Sequence, residues 1–92
     1  HLGCVLITPG AKNAIPQWRV MECLNRHLKG DWGKICGEDA EENNIATQEG
    51  YRILSTYAID PTLPAKSHGD NCFWIITEAN RESTTILLPE EY

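Results

Sequence analysis

The stretch CFWIITEANRESTTILL, residues 72–88, decides the fold because it contains two strand-like segments joined by a short polar reversal. CFWIITEA (72–79) and STTILL (83–88) are rich in β-branched and aromatic residues, which favour strands. Earlier in the chain, YRILSTYAI (51–59) alternates between two kinds of side chain, as a strand with two unlike faces does. The three segments together predict an antiparallel meander.

The residues before the meander predict one further strand and two helices. GCVLIT (3–8) reads as a strand, and a short turn or helical segment is predicted over 11–15. Pro16 suits a first helical position, and the apolar residues that follow recur at helical spacing until Gly30 ends the helix. A second, mostly polar helix is predicted over about 38–49.

These elements predict an α+β fold: a four-stranded, mainly antiparallel sheet with two helices, both after the first strand, packed on one face. Ninety-two residues are enough for a single domain, 1–92. No apolar run approaches the roughly twenty residues that a membrane span needs. The chain begins with His1 rather than Met and shows nothing that resembles a signal peptide, so we expect a cytoplasmic protein with no membrane contact.

Four cysteines, at positions 4, 23, 36 and 72, form no CxxC pair. Most are expected to be buried free thiols, with Cys4 and Cys72 acting as small apolar residues in strands. Cys23 and His27 lie four residues apart on the first predicted helix and Cys36 follows it, which leaves a three-ligand metal cluster open. A fourth ligand is missing and the spacing matches no standard zinc site, so we expect no metal and no cofactor.

Charge is unevenly divided along the chain, whose net charge is −5. Residues 1–34 carry five basic and two acidic residues, a balance of +3, whereas residues 35–92 carry three and eleven, a balance of −8. Five carboxylates fall in the second predicted helix with no Lys or Arg among them: Glu38, Asp39, Glu41, Glu42 and Glu49. That helix would repel a phosphate backbone, so direct nucleic-acid binding is not the expected function.

HLKGDWGKICGED, residues 27–39, is interpreted first as a structural corner. His27 ends the first predicted helix, where the helix dipole would favour an imidazolium. Gly30 and Gly33 permit positive φ in a tight reversal, and Trp32 can fill the corner between the helices and the sheet. Each residue then has a mechanical reason for its position.

The same stretch also allows an active site. His27 and Asp31 could act as an acid/base pair beside Cys36 or Glu38, with Glu78 and Arg81, near the polar reversal at 80–82, as further members of the site. The sequence contains no G-x-S-x-G, HExxH or GxGxxG motif that would place such a pair in a known catalytic arrangement. An enzyme of unknown substrate therefore remains an alternative to a binding protein.

Two surfaces are candidates for other interactions. The acidic C-terminal sequence PEEY is either a solvated end or a partner-binding site made of Glu90, Glu91 and Tyr92. Weak DNA binding could use four cations on and after the first predicted helix: Arg19, Arg26, Lys29 and Lys34.

A homodimer is a further alternative, suggested by the number of aromatic residues. One thin sheet with a single helical layer need not bury all of them, so an uncovered sheet face could pair with a second copy. The residues concerned are Trp18, Tyr51, Tyr57 and Trp74. If they instead fill one core, no such face exists.

Four motifs extend over nearly the whole chain: TPGA at 8–11, GDWG at 30–33, EGYRILSTY at 49–57 and a closing block at 74–92 that ends in LLPEEY. Together they resemble a family of small plasmid-related proteins carried by bacterial mobile elements. Asn80 stands where that family more often has Asp, and the loop over 60–71 is longer. Some members carry the label of a type I restriction modification subunit, but this chain lacks the NPP[YF]-type motif and the glycine-rich cofactor loop of a methyltransferase.

The resemblance implies an accessory protein of a mobile element. Combined with the charge distribution, it leads us to expect a protein that binds a host protein, as an acidic inhibitor of a nucleic-acid-processing or defence enzyme. The acidic surface would use Glu38, Asp39, Glu41 and Glu42 as a partial mimic of DNA.

Overall fold

The computed structural model describes residues 3–30, 52–65 and 71–92, and over these ranges it contains one sheet and two α-helices. The strands are β1 (Cys4–Ile7), β2 (Ile53–Ala58), β3 (Cys72–Thr77) and β4 (Ser83–Leu87). The helices are α1 (Pro9–Ala14) and α2 (Gln17–Leu28), and a 3-10 helix covers Pro89–Glu91. The helix predicted over 38–49 lies outside the described residues.

The four strands are arranged in the order β1-β4-β3-β2. β2 pairs with β3 and β3 with β4 in antiparallel register, as the predicted meander requires. β1 pairs with β4 in parallel, and α1 and α2 follow β1 in the chain before the meander begins. The predicted α+β class and the mainly antiparallel sheet are confirmed.

The β3–β4 reversal is held by side-chain and backbone contacts within the turn. Asn80 Oδ1 accepts a hydrogen bond from the backbone N–H of Glu82 at 3.0 Å, and Arg81 adopts a positive φ of 61°. Gly3, at a φ of 67°, approaches this turn so closely that a Cβ would lie 2.4 Å from the carbonyl oxygen of Arg81. Only glycine can therefore start β1 at this position.

The two helices begin and end where their capping residues dictate. Thr8 caps α1, its hydroxyl accepting from the backbone N–H of Ala11 at 3.3 Å, with Pro9 at the first helical position. α1 thus starts two residues before the predicted segment. α2 begins at Gln17, so Pro16 occupies the N-cap rather than the first helical position predicted for it, and Gly30, with a φ of 84°, stands just past the end of the helix.

The core has two parts, one on each face of the sheet. On the face covered by α1 and α2, the buried cluster consists of Ala11, Ile15, Val20, Cys23, Tyr57, Phe73, Ile75 and Ile86. On the opposite face, a smaller buried cluster consists of Trp74, Ile76 and Leu87, with Leu54 packed against it. The strand register explains this division, since Tyr57 pairs with Phe73 and Ile75 with Ile86, whereas Trp74 pairs with Leu87.

The aromatic argument for a homodimer is wrong for two of its residues. Tyr57 is 1% exposed and Trp74 is 7% exposed, so both are buried within the chain and offer little surface to a second copy. Trp18 is 60% exposed, and Tyr51 lies outside the described ranges. Over the described residues, no helix has the length and apolar content that membrane crossing requires.

Candidate functional site

His27 lies at the centre of a buried chain of polar side chains. Its Nδ1 contacts the hydroxyl of Ser55 on β2, and its Nε2 lies 2.8 Å from the hydroxyl of Thr77 on β3. The Thr77 hydroxyl in turn lies 2.9 Å from that of Thr84 on β4. We call these four residues the hydroxyl–imidazole chain; it connects α2 to three strands of the sheet.

Every member of the hydroxyl–imidazole chain is excluded from solvent. His27 is 4% exposed, Thr77 is 2% exposed, and Ser55 and Thr84 are fully buried. Burial disfavours the charged imidazolium and lowers the pKa of His27 from 6.5 to about 4. The prediction that the helix dipole favours an imidazolium here is therefore wrong, because desolvation outweighs the dipole.

A neutral imidazole suits its hydroxyl neighbours because it offers one donor and one acceptor. One ring nitrogen donates to a hydroxyl oxygen and the other accepts a hydroxyl proton, so both polar ends of the ring are bonded. The Ser55–His27 contact resembles the nucleophile and base of a hydrolase in its atoms. The Ser55 hydroxyl is fully buried, so a substrate has no access to it, and the arrangement is structural.

The other proposed catalytic residues occupy different surroundings. Asp31 falls outside the described residues. Glu78 follows Thr77 at the end of β3, and its carbonyl oxygen accepts from Arg81 Nη1 at 3.1 Å across the β3–β4 turn. Glu78 and Arg81 thus contact each other at a turn, while the imidazole that they were expected to assist contacts Ser55 and Thr77.

The residues of the predicted metal cluster are only partly described. Cys23 is fully buried in the core cluster under α2, and Cys36 is not among the described residues. Both nitrogens of His27 contact hydroxyl oxygens, so a metal ion at this ring would have to displace Ser55 or Thr77. Of the strand cysteines, Cys72 is buried as predicted, whereas Cys4 is exposed because β1 forms an edge of the sheet.

Two arginines that were candidates for DNA contact are used within the fold. Arg19 is 4% exposed; its Nε donates to the carbonyl oxygen of Ala58 at 2.9 Å, and its Nη1 forms an ion pair with Glu22. The guanidinium of Arg26 lies 4.9 Å from the centroid of the Tyr57 ring. Because Arg19 and Arg26 make these contacts, they contribute little to the predicted cationic surface. Of its two lysines, Lys29 is exposed and Lys34 is outside the described ranges.

The C-terminal residues bind back onto the chain. Glu91 accepts hydrogen bonds from the Thr8 hydroxyl at 2.5 Å and from the backbone N–H groups of Gly10 and Leu88 at 3.1 and 3.0 Å. The Thr8 hydroxyl is the main reason that the pKa of Glu91 lies below its usual range, with the Leu88 N–H next. Glu91 therefore joins the 3-10 helix to the start of α1.

The other two proposed partner-binding residues of this segment are Tyr92 and Glu90. The Tyr92 ring meets Trp74 edge-on, with 5.4 Å between centroids, and its hydroxyl accepts from Arg52 Nη2 at 2.6 Å. Tyr92 is still 68% exposed, and Glu90 is exposed as well. Partner binding by this segment stays a prediction, with Glu91 already engaged in the fold.

The engagement of Glu91 can be tested by substitution. We expect Glu91→Ala to lower the melting temperature by a few degrees, because it removes the acceptor for two donors at the start of α1 and for the Leu88 N–H at the start of the 3-10 helix. Glu90→Ala is the matched control, since it removes the neighbouring exposed carboxylate, and it should leave the melting temperature nearly unchanged. Equal effects in differential scanning calorimetry would show that the Glu91 contacts contribute nothing to stability.

One exposed apolar surface lies along β1 and one side of α2. Its exposed residues, which we call the apolar edge, are Val5, Leu6, Ile7 and Met21. A groove of about 470 Å³ separates the strand from the helix and is lined by Val5, Ile7, Met21 and the half-buried Leu24. Exposed apolar residues that cluster in this way are typical of interaction surfaces.

Sequence reasoning identified His27 but missed the three hydroxyl residues that surround it. Ser55, Thr77 and Thr84 were placed correctly in strands, and alternation could have assigned them to one face of the sheet. What it could not show was the position of α2 above that face. The acidic residues Glu38, Asp39, Glu41 and Glu42, together with Trp32 and Gly33 of the proposed corner, lie outside the described residues.

Comparison of the chain with protein-family models, with curated proteins and with solved structures found no match in any of the three.

Proposed function

We propose that this chain is a cytoplasmic accessory protein of a mobile element that acts by binding a host nucleic-acid-processing or defence enzyme. The observation that carries the proposal is the separation of charge between the two parts of the chain. Five carboxylates between residues 38 and 49 have no Lys or Arg among them, and the chain as a whole has a net charge of −5. A surface of this composition complements a basic nucleic-acid-binding groove.

The positions of the arginines support binding to a protein rather than to DNA. All four arginines of the sequence contact groups of their own chain: Arg19 with Ala58 and Glu22, Arg26 with Tyr57, Arg52 with Tyr92, and Arg81 with Glu78. Cations held in this way contribute little to phosphate binding, which depends on the number of free basic groups that displace counterions.

The burial of His27 supports binding rather than catalysis. An acid/base residue must reach its substrate, directly or through one water molecule. With 4% exposure and hydroxyl contacts at both ring nitrogens, His27 meets neither condition. The alternative that this chain is an enzyme depended on His27 and is therefore less well supported.

The test is affinity capture of the tagged protein from a bacterial lysate, followed by elution with duplex DNA. We expect one nucleic-acid-processing enzyme to be recovered in stoichiometric amount and released by DNA, because the acidic segment and DNA would compete for the same basic groove. Reversal of Glu38, Asp39, Glu41 and Glu42 to lysine should abolish recovery.

A matched control separates the position of the charges from their number. Glu41→Lys with Glu42→Lys and Glu78→Lys with Glu82→Lys both change the net charge from −5 to −1. Only the first pair should weaken capture by tenfold or more. Equal recovery with all variants, or retention of the partner in excess DNA, would refute the proposal.

A further inference from the structure

The outer side of β1 presents backbone groups that pair with no other described strand. The N–H groups of Cys4 and Thr8 donate to carbonyl groups of the chain around β4, at 2.9 and 3.0 Å. Because backbone groups alternate along a strand, Val5 and Ile7 direct their N–H and C=O groups away from β4. Among the described strands, β4 is the one neighbour of β1, so four hydrogen-bonding groups lie at this edge.

The side chains of β1 give this edge little protection against pairing. Natural sheet edges are usually blocked by charged residues, proline or a bulge. The sequence CVLI has none of these, and Val5, Leu6 and Ile7 are 45%, 49% and 39% exposed. An edge of this kind readily accepts another strand.

The geometry of β1 selects one register for pairing with an identical strand. With Leu6 on a twofold axis, Val5 lies opposite Ile7 on both sides of the axis, and the outward groups form four hydrogen bonds. A shift in one direction would place Val5 opposite Pro9, which has no N–H. A shift in the other would place Ile7 opposite Gly3, whose φ of 67° is not extended.

In this register the apolar edge is covered on both faces. Val5 packs beside Ile7 of the other copy on the helix-covered face, next to Met21, and the two Leu6 side chains meet on the opposite face. The four residues of the apolar edge are each about half exposed, so the apolar area that they add to the strand pairing is smaller than that of a permanent interface, and the association is expected to be weak and concentration-dependent.

We propose that a second copy of this chain pairs with β1 in antiparallel orientation, with Leu6 on the twofold axis. A second copy is favoured over an unrelated peptide because both sides of the axis then supply the same four backbone groups and the same apolar side chains. No charged residue lies within β1, so like charges do not oppose each other along the strand. The joined sheet has eight of the described strands.

Sedimentation of the full chain from micromolar to several hundred micromolar concentration tests the assembly. We expect a concentration-dependent dimer, and Leu6→Lys should weaken its association at least a hundredfold because two ammonium groups would meet at the axis. Leu63→Lys is the matched control: Leu63 is 56% exposed, in a loop remote from β1 in sequence, and the substitution is chemically identical. The dimer dissociation constant of Leu63→Lys should equal that of the wild type.

A cross-linking experiment tests the register without relying on a destabilising charge. In a Cys4→Ser background, Leu6→Cys places two thiols opposite each other on the axis, and diamide can take up their two protons and two electrons as the disulfide forms. Ile7→Cys faces Val5 instead and should not cross-link symmetrically. Peptide mapping by mass spectrometry identifies the bonded position.

Each result of these two experiments either supports the proposed pairing or contradicts it. Rapid cross-linking at position 6 but not at position 7, together with a dimer sensitive to Leu6→Lys, establishes the pairing. A wild-type chain that is monomeric at all concentrations overturns it and leaves the edge for an extended segment of another protein. A dimer that is equally stable in Leu6→Lys and Leu63→Lys also overturns it, because the contact must then lie elsewhere.

Discussion

Replacement of His27 by alanine is expected to lower the free energy of unfolding by about 3 kcal/mol, the loss typical of a buried side chain that fills space and bonds polar groups. The substitution removes a ring that is 4% exposed, and with it the contacts of the imidazole with the Ser55 and Thr77 hydroxyls. Chemical unfolding in urea, followed by tryptophan fluorescence, measures the change, since Trp74 is buried in the folded chain.

Leu28→Ala provides the matched control, because Leu28 is the next residue of α2 and is 56% exposed. Its effect should stay within about 0.5 kcal/mol, as for most surface substitutions. His27→Gln should recover part of the lost stability, since an amide can also donate and accept a hydrogen bond. A loss of less than about 1 kcal/mol for His27→Ala would show that the hydroxyl–imidazole chain does not hold α2 on the sheet.

Much of the fold follows from local patterns in the sequence. The alternation in YRILSTYAI and the polar reversal at 80–82 are enough to predict β2, β3 and β4, because neighbouring antiparallel strands need only a short connection. The helical spacing after Pro16 and the stop at Gly30 likewise predict α2. These signals are short-range, so no tertiary information is needed to interpret them.

The environment of His27 depends on contacts that are distant in sequence. Helical spacing does put Cys23 and His27 on one face of α2, and both are buried there. The partners of the ring come from 28 and 50 residues further along the chain, at Ser55 and Thr77. Periodicity identifies which side chains share a face but not what lies opposite them, so it could not show that the imidazole would be neutral.

The exposure of β1 is likewise a consequence of strand order rather than of composition. CVLI is as apolar as the buried FWII of β3, and both segments predict strands equally well. β3 is central, with neighbours on both sides, whereas β1 lies at the end of the order β1-β4-β3-β2. Cys4 was expected to be buried for this reason and is exposed instead.

The free energy of unfolding is expected to fall by about 3 kcal/mol between pH 6.5 and about pH 4 through His27 alone. Burial lowers the pKa of the folded imidazole to about 4, whereas the unfolded chain keeps a value near 6.5. Over this range the unfolded state binds a proton that the folded state does not, so acidification favours unfolding. Above about pH 7.5 both states are neutral at this residue, and its contribution is constant.

The difference between wild type and His27→Gln isolates this effect from other acid-sensitive groups. Asp60 and Glu91 also have lowered pKa values, mainly through side-chain hydrogen bonds from Thr62 and Thr8, but both proteins retain them. Urea titrations at intervals from pH 7.5 to 4 should therefore give curves that converge as the pH falls, because only the wild type loses the stability of a neutral buried imidazole. Parallel curves would mean that His27 titrates alike in the folded and unfolded chains, and would contradict the lowered pKa that we attribute to burial between Ser55 and Thr77.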